Sequence, residues 1–235
     1  MKTLGVLGGM SWESTTVYYQ LLNRGVAQRL GGLHSAALLM HSVDFAPIAQ
    51  LQQAGDWAEA GRRLARAAAG LKAAGAQALV LATNTMHKVA DVIEGEGGLP
   101  LLHIADTTGA ALRAAGVRRA AFLGTRFSME DRSIVCARIE QRHGVPTVVP
   151  DAADRELMHR VIYEELCRGV VRDSSRDAVV ALIERQRDAG ADAVVLGCTE
   201  ITLLIDPACS PLPVFDSTGL HAAAAVQWML GGELT

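Results

Sequence analysis

Short apolar runs alternate along this chain with longer stretches of helical period. Leu4–Leu7 reads as an opening strand, and Ser14–Leu30 as a helix that Ser11 or Ser14 can cap. Ala36–His41 reads as a second strand. Trp57–Ala74 carries apolar residues three and four apart, the spacing of one helix face, and leads into a strand at Ala78–Leu81. Leu101–Ile104 forms the next strand and runs into Asp106-Thr107, a natural N-cap for a helix over Thr108–Ala115. Strands alternating with helices predict βαβ units and a largely parallel sheet.

The second half of the pattern repeats the first. Ala74-Gly75-Ala76-Gln77-Ala78-Leu79-Val80-Leu81-Ala82-Thr83 aligns with Ala189-Gly190-Ala191-Asp192-Ala193-Val194-Val195-Leu196-Gly197-Cys198. Val6-Leu7-Gly8 aligns with Phe122-Leu123-Gly124, and Asp106-Thr107-Thr108-Gly109 with Asp216-Ser217-Thr218-Gly219. Chance similarity in an Ala-rich chain is the bland alternative, but it rarely keeps three matches in one order. The pattern predicts an α/β fold of two similar lobes from an internal duplication, each a mostly parallel sheet flanked by helices. The first lobe is expected over 1–104 plus 213–235 and the second over 105–212, with an active site in the cleft between them. Ligands of parallel sheets bind outside the carboxyl ends of the strands. Thr83 and Cys198 both follow an apolar strand, so they are expected to flank that cleft.

Composition narrows the function classes. Half of the 235 residues are hydrophobic and a fifth are charged, as in an ordinary globular domain. A formal net charge of −3 offers no basic footprint for nucleic acid and no polybasic membrane anchor. No apolar run approaches the roughly 20 residues of a membrane span, and the opening residues predict no secretion signal. Cys136, Cys167, Cys198 and Cys209 lie far apart, which reads as thiols rather than a disulfide framework. A cytoplasmic protein acting on a small molecule is expected.

Cys198 stands in Gly197-Cys198-Thr199-Glu200, between a strand and a helix start. A helix N-terminus lowers a thiol pKa from about 8.5, because the orphan N–H groups favour the anion. That makes Cys198 a candidate base or nucleophile; a buried structural cysteine is the commoner case for any single Cys. Cys136 and Cys209 lack such a setting and read as structural, with Cys167 intermediate. The matching turn, Thr83-Asn84-Thr85-Met86-His87, offers small polar donors to a carboxylate, and N-capping explains the same residues. His87 reads equally as a general acid or as a packed histidine. Leu7-Gly8-Gly9-Met10-Ser11 fits neither G-x-G-x-x-G nor the Walker spacing. The histidines show no H-x-x-x-H spacing, so no metal is expected, and no serine sits in G-x-S-x-G.

Gly5-Val6-Leu7-Gly8-Gly9-Met10-Ser11-Trp12-Glu13-Ser14, the Thr83–His87 turn and Gly197-Cys198-Thr199-Glu200 together resemble the aspartate/glutamate/hydantoin racemase superfamily. The resemblance covers essentially the whole chain. It implies two duplicated lobes placing one cysteine on each side of the substrate Cα, without pyridoxal phosphate or metal, and commonly a homodimer. Here the first cysteine is replaced by Thr83. The chain therefore is most similar to the subgroup of L-aspartate/glutamate-specific, or broad-specificity, racemases that carry threonine there. By that resemblance Cys198 takes the proton from the L-enantiomer and Thr83 delivers one to the opposite face, directly or through water. Asn84, Thr85 and Thr199 are expected to aim donors at the α-carboxylate, and Met10 and Gln52 to line the pocket. The side-chain carboxylate is usually met by a basic residue in a Glu-Leu-x-x-Gly turn. In Glu165-Leu166-Cys167-Arg168-Gly169 the expected lysine is Cys167, leaving Arg168 to compensate or the pocket to favour other amino acids.

Three rivals remain on the same residues. Arylmalonate decarboxylase resembles this superfamily and keeps only the second cysteine, and maleate isomerase uses the fold differently again. A non-catalytic amino-acid-binding protein is the third.

Overall fold

The computed structural model describes residues 1–233. The chain divides into two compact units, one comprising Met1–His103 with the segment from His221 onward, the other Ile104–Leu220. In chain order the first unit holds β1 (Leu4–Gly8), α1 (Trp12–Leu30), β2 (Leu38–Ser42), α2 (Phe45–Ala54), α3 (Trp57–Ala73), β3 (Ala78–Leu81), α4 (Ala90–Gly97) and β4 (Leu101–Leu102). Its sheet is parallel throughout, in the order β2-β1-β3-β4. β1 and β3 are buried along their whole length, because helices cover both faces of the sheet. Continuous apolar runs rather than alternating ones are the sequence consequence.

Each face has its own core. Leu7, Leu79 and Leu81 pack with Leu64 and Ile93 on one side. Leu4, Val6 and Val80 pack with Tyr18, Leu22 and Val26 of α1 on the other. Tyr18, Leu22 and Val26 recur every fourth residue, which is why α1 buries a single stripe. Each fully buried leucine of this kind contributes about 1.5–3 kcal/mol. The Ser11 hydroxyl accepts from the Ser14 backbone N–H, so α1 starts at Trp12. α2, capped by Asp44, lies in a stretch where the apolar pattern showed no element.

The second unit holds α5 (Ile104–Ala114), β5 (Ala120–Leu123), α6 (Arg126–Glu130), α7 (Cys136–His143), β6 (Thr147–Val148), α8 (Ala152–Arg160), α9 (Asp173–Asp188), β7 (Ala193–Leu196) and β8 (Val214–Asp216). α10 (Ser217–Met229) follows and contains the boundary between the units. This sheet too is parallel, in the order β6-β5-β7-β8. Its topology is that of the first sheet, strand for strand. The central pairs also keep the same register: Leu7 lies opposite Leu81 and Leu123 opposite Leu196.

Two expectations need correction. Residues 213–220 belong with the second unit, because β8 pairs with β7 from Val214–Val194 to Asp216–Leu196. The third repeat match is also shifted. Leu79 opposite Leu101 and Val194 opposite Val214 make Asp216 the counterpart of His103, not of Asp106. Accordingly α5 begins at Ile104, and Asp106 lies inside its first turn instead of capping it. Its carboxylate is taken by Arg138, at 2.9 and 2.6 Å, and by Arg142 at 3.2 Å. Burial pushes that carboxyl up, but Arg138, Arg142 and His143 outweigh it and hold it below the usual range.

The close approach of β5 and β7 requires glycine at their ends. A Cβ on Gly197 would stand 2.2 Å from Phe122 Cζ and 2.9 Å from the Leu123 carbonyl oxygen. Gly197→Ala is therefore expected to cost about 1–3 kcal/mol by overpacking, read as a lower urea midpoint with an unchanged slope. An unchanged midpoint would contradict this packing.

Candidate active site

In a parallel sheet all strand carboxyl ends lie along one edge, and ligands favour the point where the strand order reverses. That point falls between β1 and β3 in the first sheet and between β5 and β7 in the second. Thr83 follows β3 and Cys198 follows β7. Each residue thus stands at the switch point of its own unit.

In the first unit, Thr83 is half-buried and leads, through Asn84, into a 3₁₀ turn over Thr85–Val89. Asn84 and Thr85 are buried, as are Met10 after β1 and Gln52 on α2. Gln52 donates to the sulfur of Met86 at 2.9 Å, directly beyond Thr85 in the chain. The Thr83 carbonyl accepts from His87 Nδ1 at 2.8 Å. His87 is therefore neutral with its proton on Nδ1, and burial together with His103 and His221 pushes its pKa well down. It is a packed histidine that holds the turn. Its ring lies 4.5 Å from His103 and 5.9 Å from His221.

His221 continues this buried chain. Its Nε2 donates to the Leu102 carbonyl at 2.9 Å, so Nδ1 accepts the Tyr18 hydroxyl proton at 2.8 Å. Burial lowers its pKa to about 4. An unfolded chain takes up this proton below about pH 6.5, whereas the native state resists it until about 4. Stability is thus expected to fall by about 3 kcal/mol as pH drops through that window. His87 acts in the same direction. Urea unfolding at stepped pH measures this, and a flat profile would contradict a neutral buried His221.

In the second unit, Cys198 is extended in backbone and precedes a five-residue 3₁₀ turn, Thr199–Leu203. Its thiol donates to Glu200 Oε2 at 2.9 Å. The expected acidification does not occur. Burial first, then the negative charges of Glu200 and Cys167, push the thiol well up, and the Glu200 backbone N–H opposes them only weakly. The turn is too short to bring a long helix's field to the sulfur. Cys198 therefore rests as a thiol hydrogen-bonded to a carboxylate.

Thr199 shares a hydrogen bond with Thr218 at the start of α10, Oγ1 to Oγ1 at 2.9 Å. Cys167 sits in a 3₁₀ turn, Leu166–Arg168, that packs against the Thr199–Leu203 turn. Arg168 is exposed. A π-helical turn, Val161–Glu165, carries Tyr163, whose hydroxyl is pushed up by burial and by Cys198, Cys167 and Glu200. Cys136 is buried in the core of this unit. Within this unit the structure brings together Cys167, Cys198 and Thr199 of the expected residues. Glu200 and Tyr163 are additions; the carboxylate two residues beyond the thiol was the available signal.

Two homologous parallel α/β units, with a thiol at one switch point and small polar donors at the other, define a duplicated small-molecule enzyme. The chain belongs to the Asp/Glu/Hydantoin racemase family, whose model matches residues 7–225. It is similar to an Asp/Glu racemase candidate from Yersinia pestis, with 49% identity, 98% of this chain and 100% of that one covered, and a TM-score of 0.91. An aspartate racemase homologue from Pyrococcus horikoshii matches at 28% identity over 98% and 100% of the two chains, with a TM-score of 0.85. Picrophilus torridus aspartate racemase shares the fold, at 20% identity over 100% and 96%, with a TM-score of 0.77. Among the described residues no helix is long and apolar enough to cross a membrane.

Proposed function

We propose that the protein racemises L-aspartate and L-glutamate without pyridoxal phosphate or metal, Cys198 removing the α-proton and Thr83 returning one to the opposite face of Cα. The observation that carries this reading is the thiol of Cys198 at a switch point with a carboxylate 2.9 Å away. A resting thiol is no base, so it must first lose its proton, and Glu200 is the group placed to accept it. A bound amino acid brings an α-ammonium, whose positive charge favours the thiolate so formed. The thiolate then takes the α-proton. Thr83, an acid far too weak to ionise, gives its hydroxyl proton while taking another from water.

The carbanion-like state needs charge stabilisation. Donors from Asn84, Thr85 and Thr199 to the α-carboxylate supply it, each worth roughly 2.7–4 kcal/mol in comparable sites. Thr218 orients the Thr199 hydroxyl. Met10, Gln52 and Cys167 complete the pocket, and a cytoplasmic homodimer completes the reading.

Incubation with each L-enantiomer, followed by chiral chromatography, tests the activity. Accumulation of D-aspartate or D-glutamate supports it. Binding of both substrates with no D-isomer overturns it, and CO₂ release from an arylmalonate would reassign the chemistry to decarboxylation. Glu200→Gln keeps the shape but cannot hold the thiol proton, so kcat is expected to fall about 10²-fold with KM nearly constant. An unchanged kcat would remove Glu200 from the mechanism.

A further inference from the structure

Cys167 and Cys198 sit on two short turns that pack against each other, Leu166–Arg168 and the turn that Cys198 caps. Both residues are half-buried and pack against the core of the second unit, as does Tyr163. They are electrostatic neighbours as well: charge on Cys167 is felt at the Cys198 thiol, and charge on either at the Tyr163 hydroxyl. Neither is in a disulfide. We infer that Cys167 and Cys198 form a reversible peroxide-sensitive dithiol, closing to an intramolecular disulfide that switches the enzyme off.

The chemistry balances with hydrogen peroxide as the oxidant. The Cys167 sulfur attacks one peroxide oxygen, giving Cys167 sulfenic acid and one water. The Cys198 sulfur then attacks the sulfenic sulfur and displaces its hydroxyl. Glu200, 2.9 Å from Cys198 Sγ, accepts the thiol proton as the S–S bond forms and passes it to the departing hydroxide, making a second water. Two thiols are oxidised, one peroxide is reduced, and two waters leave. Assigning Cys198 the second attack suits its raised pKa, because a neighbouring base can supply the thiolate at the moment of attack. Bond formation needs the sulfurs at about 2.05 Å. The π turn Val161–Glu165 and the 3₁₀ turn after it are short and irregular, so they can shift more readily than a continuous α-helix.

Loss of activity on oxidation rests on the racemase reading, whereas the cross-link does not. The full chain is treated with hydrogen peroxide, alkylated, and analysed by intact mass and by peptide mapping, with activity followed in parallel. The expected result is loss of two hydrogens, a linked peptide pair containing Cys167 and Cys198, and activity lost in proportion to the linked fraction and restored by dithiothreitol. Cys167→Ser lacks the sulfur that peroxide oxidises first, so it should form no cross-link and keep its own reduced-state activity at the peroxide dose that silences the unmodified chain. Cys136→Ser should keep the cross-link. Sulfinic or sulfonic acid at Cys198 of the unmodified chain without a cross-link overturns the inference. So does a Cys167→Ser protein that peroxide inactivates as readily as the unmodified chain. A cross-link in a protein that racemises neither amino acid keeps the dithiol and removes the racemase reading.

Discussion

Replacing Cys198 with alanine is expected to stop exchange of the α-hydrogen of L-aspartate and L-glutamate, a loss of about 10²–10⁴-fold, the usual contribution of a positioned base. The prediction is stronger than for a generic cysteine because Cys198 is the thiol in the turn directly after β7. Cys167 is carried by a different turn, and Glu200 is placed to hold the thiol's proton. The fold should survive the change. Cys198 is half-buried, at the end of a strand whose own residues make the core, so alanine removes one polarizable atom and leaves no large cavity. Near-unchanged thermal unfolding with lost exchange is the expected combination. Retained exchange would assign the base elsewhere, and joint loss of exchange and fold would be answered by Cys198→Ser, which keeps the side-chain size.

Converting Thr83 to cysteine should change the enzyme in the other direction. On the proposed mechanism Thr83 cannot become anionic near neutral pH, and Cys198 does so by passing its proton to Glu200. Turnover from the D-enantiomer is therefore expected to be poor in the natural chain. Thr83→Cys replaces the hydroxyl by a larger thiol but removes the methyl, so it adds little bulk, and the backbone is already held by the His87 hydrogen bond to the Thr83 carbonyl. A thiol with an ordinary pKa of about 8.5 yields a usable thiolate base near neutral pH, whereas an aliphatic hydroxyl yields none. D-side turnover should rise by about 10²-fold or more, within the range of a positioned base. Initial rates from D-aspartate and D-glutamate measure it. Equal D-side rates in both proteins would show that Thr83 does not meet Cα.

Much of this was readable in the apolar pattern, and the failures have physical causes. β3 was predicted residue for residue, because a strand buried on both faces is a short apolar run with turn residues at each end. β1/β5 and β3/β7 were matched correctly across the repeat for the same reason. Asp106 misled because an Asp-Thr-Thr-Gly string looks like a cap, while its true partners, Arg138 and Arg142, come from α7. Pairing across elements is invisible to local spacing. The boundary at 213 failed likewise, since membership of β8 is decided by its hydrogen bonds to β7. Its place after a strand singles out Cys198, but the helix-terminus argument predicts an acidified thiol where burial and charge raise it. A helix-terminus argument weighs backbone dipoles and neglects burial and the Glu200 charge, which here are larger. The strand-end position singles out the thiol, and its hydrogen bond to Glu200 becomes visible only in the structure.

The most direct test of the central claim is solvent exchange at Cα. The unmodified protein is incubated with L-aspartate or L-glutamate in D₂O, and the α-proton resonance is followed by NMR. The account predicts that this resonance disappears in protein-dependent fashion, and that the D-isomer formed carries deuterium at Cα. An α-proton resonance that persists with bound substrate would contradict removal of the α-proton by Cys198.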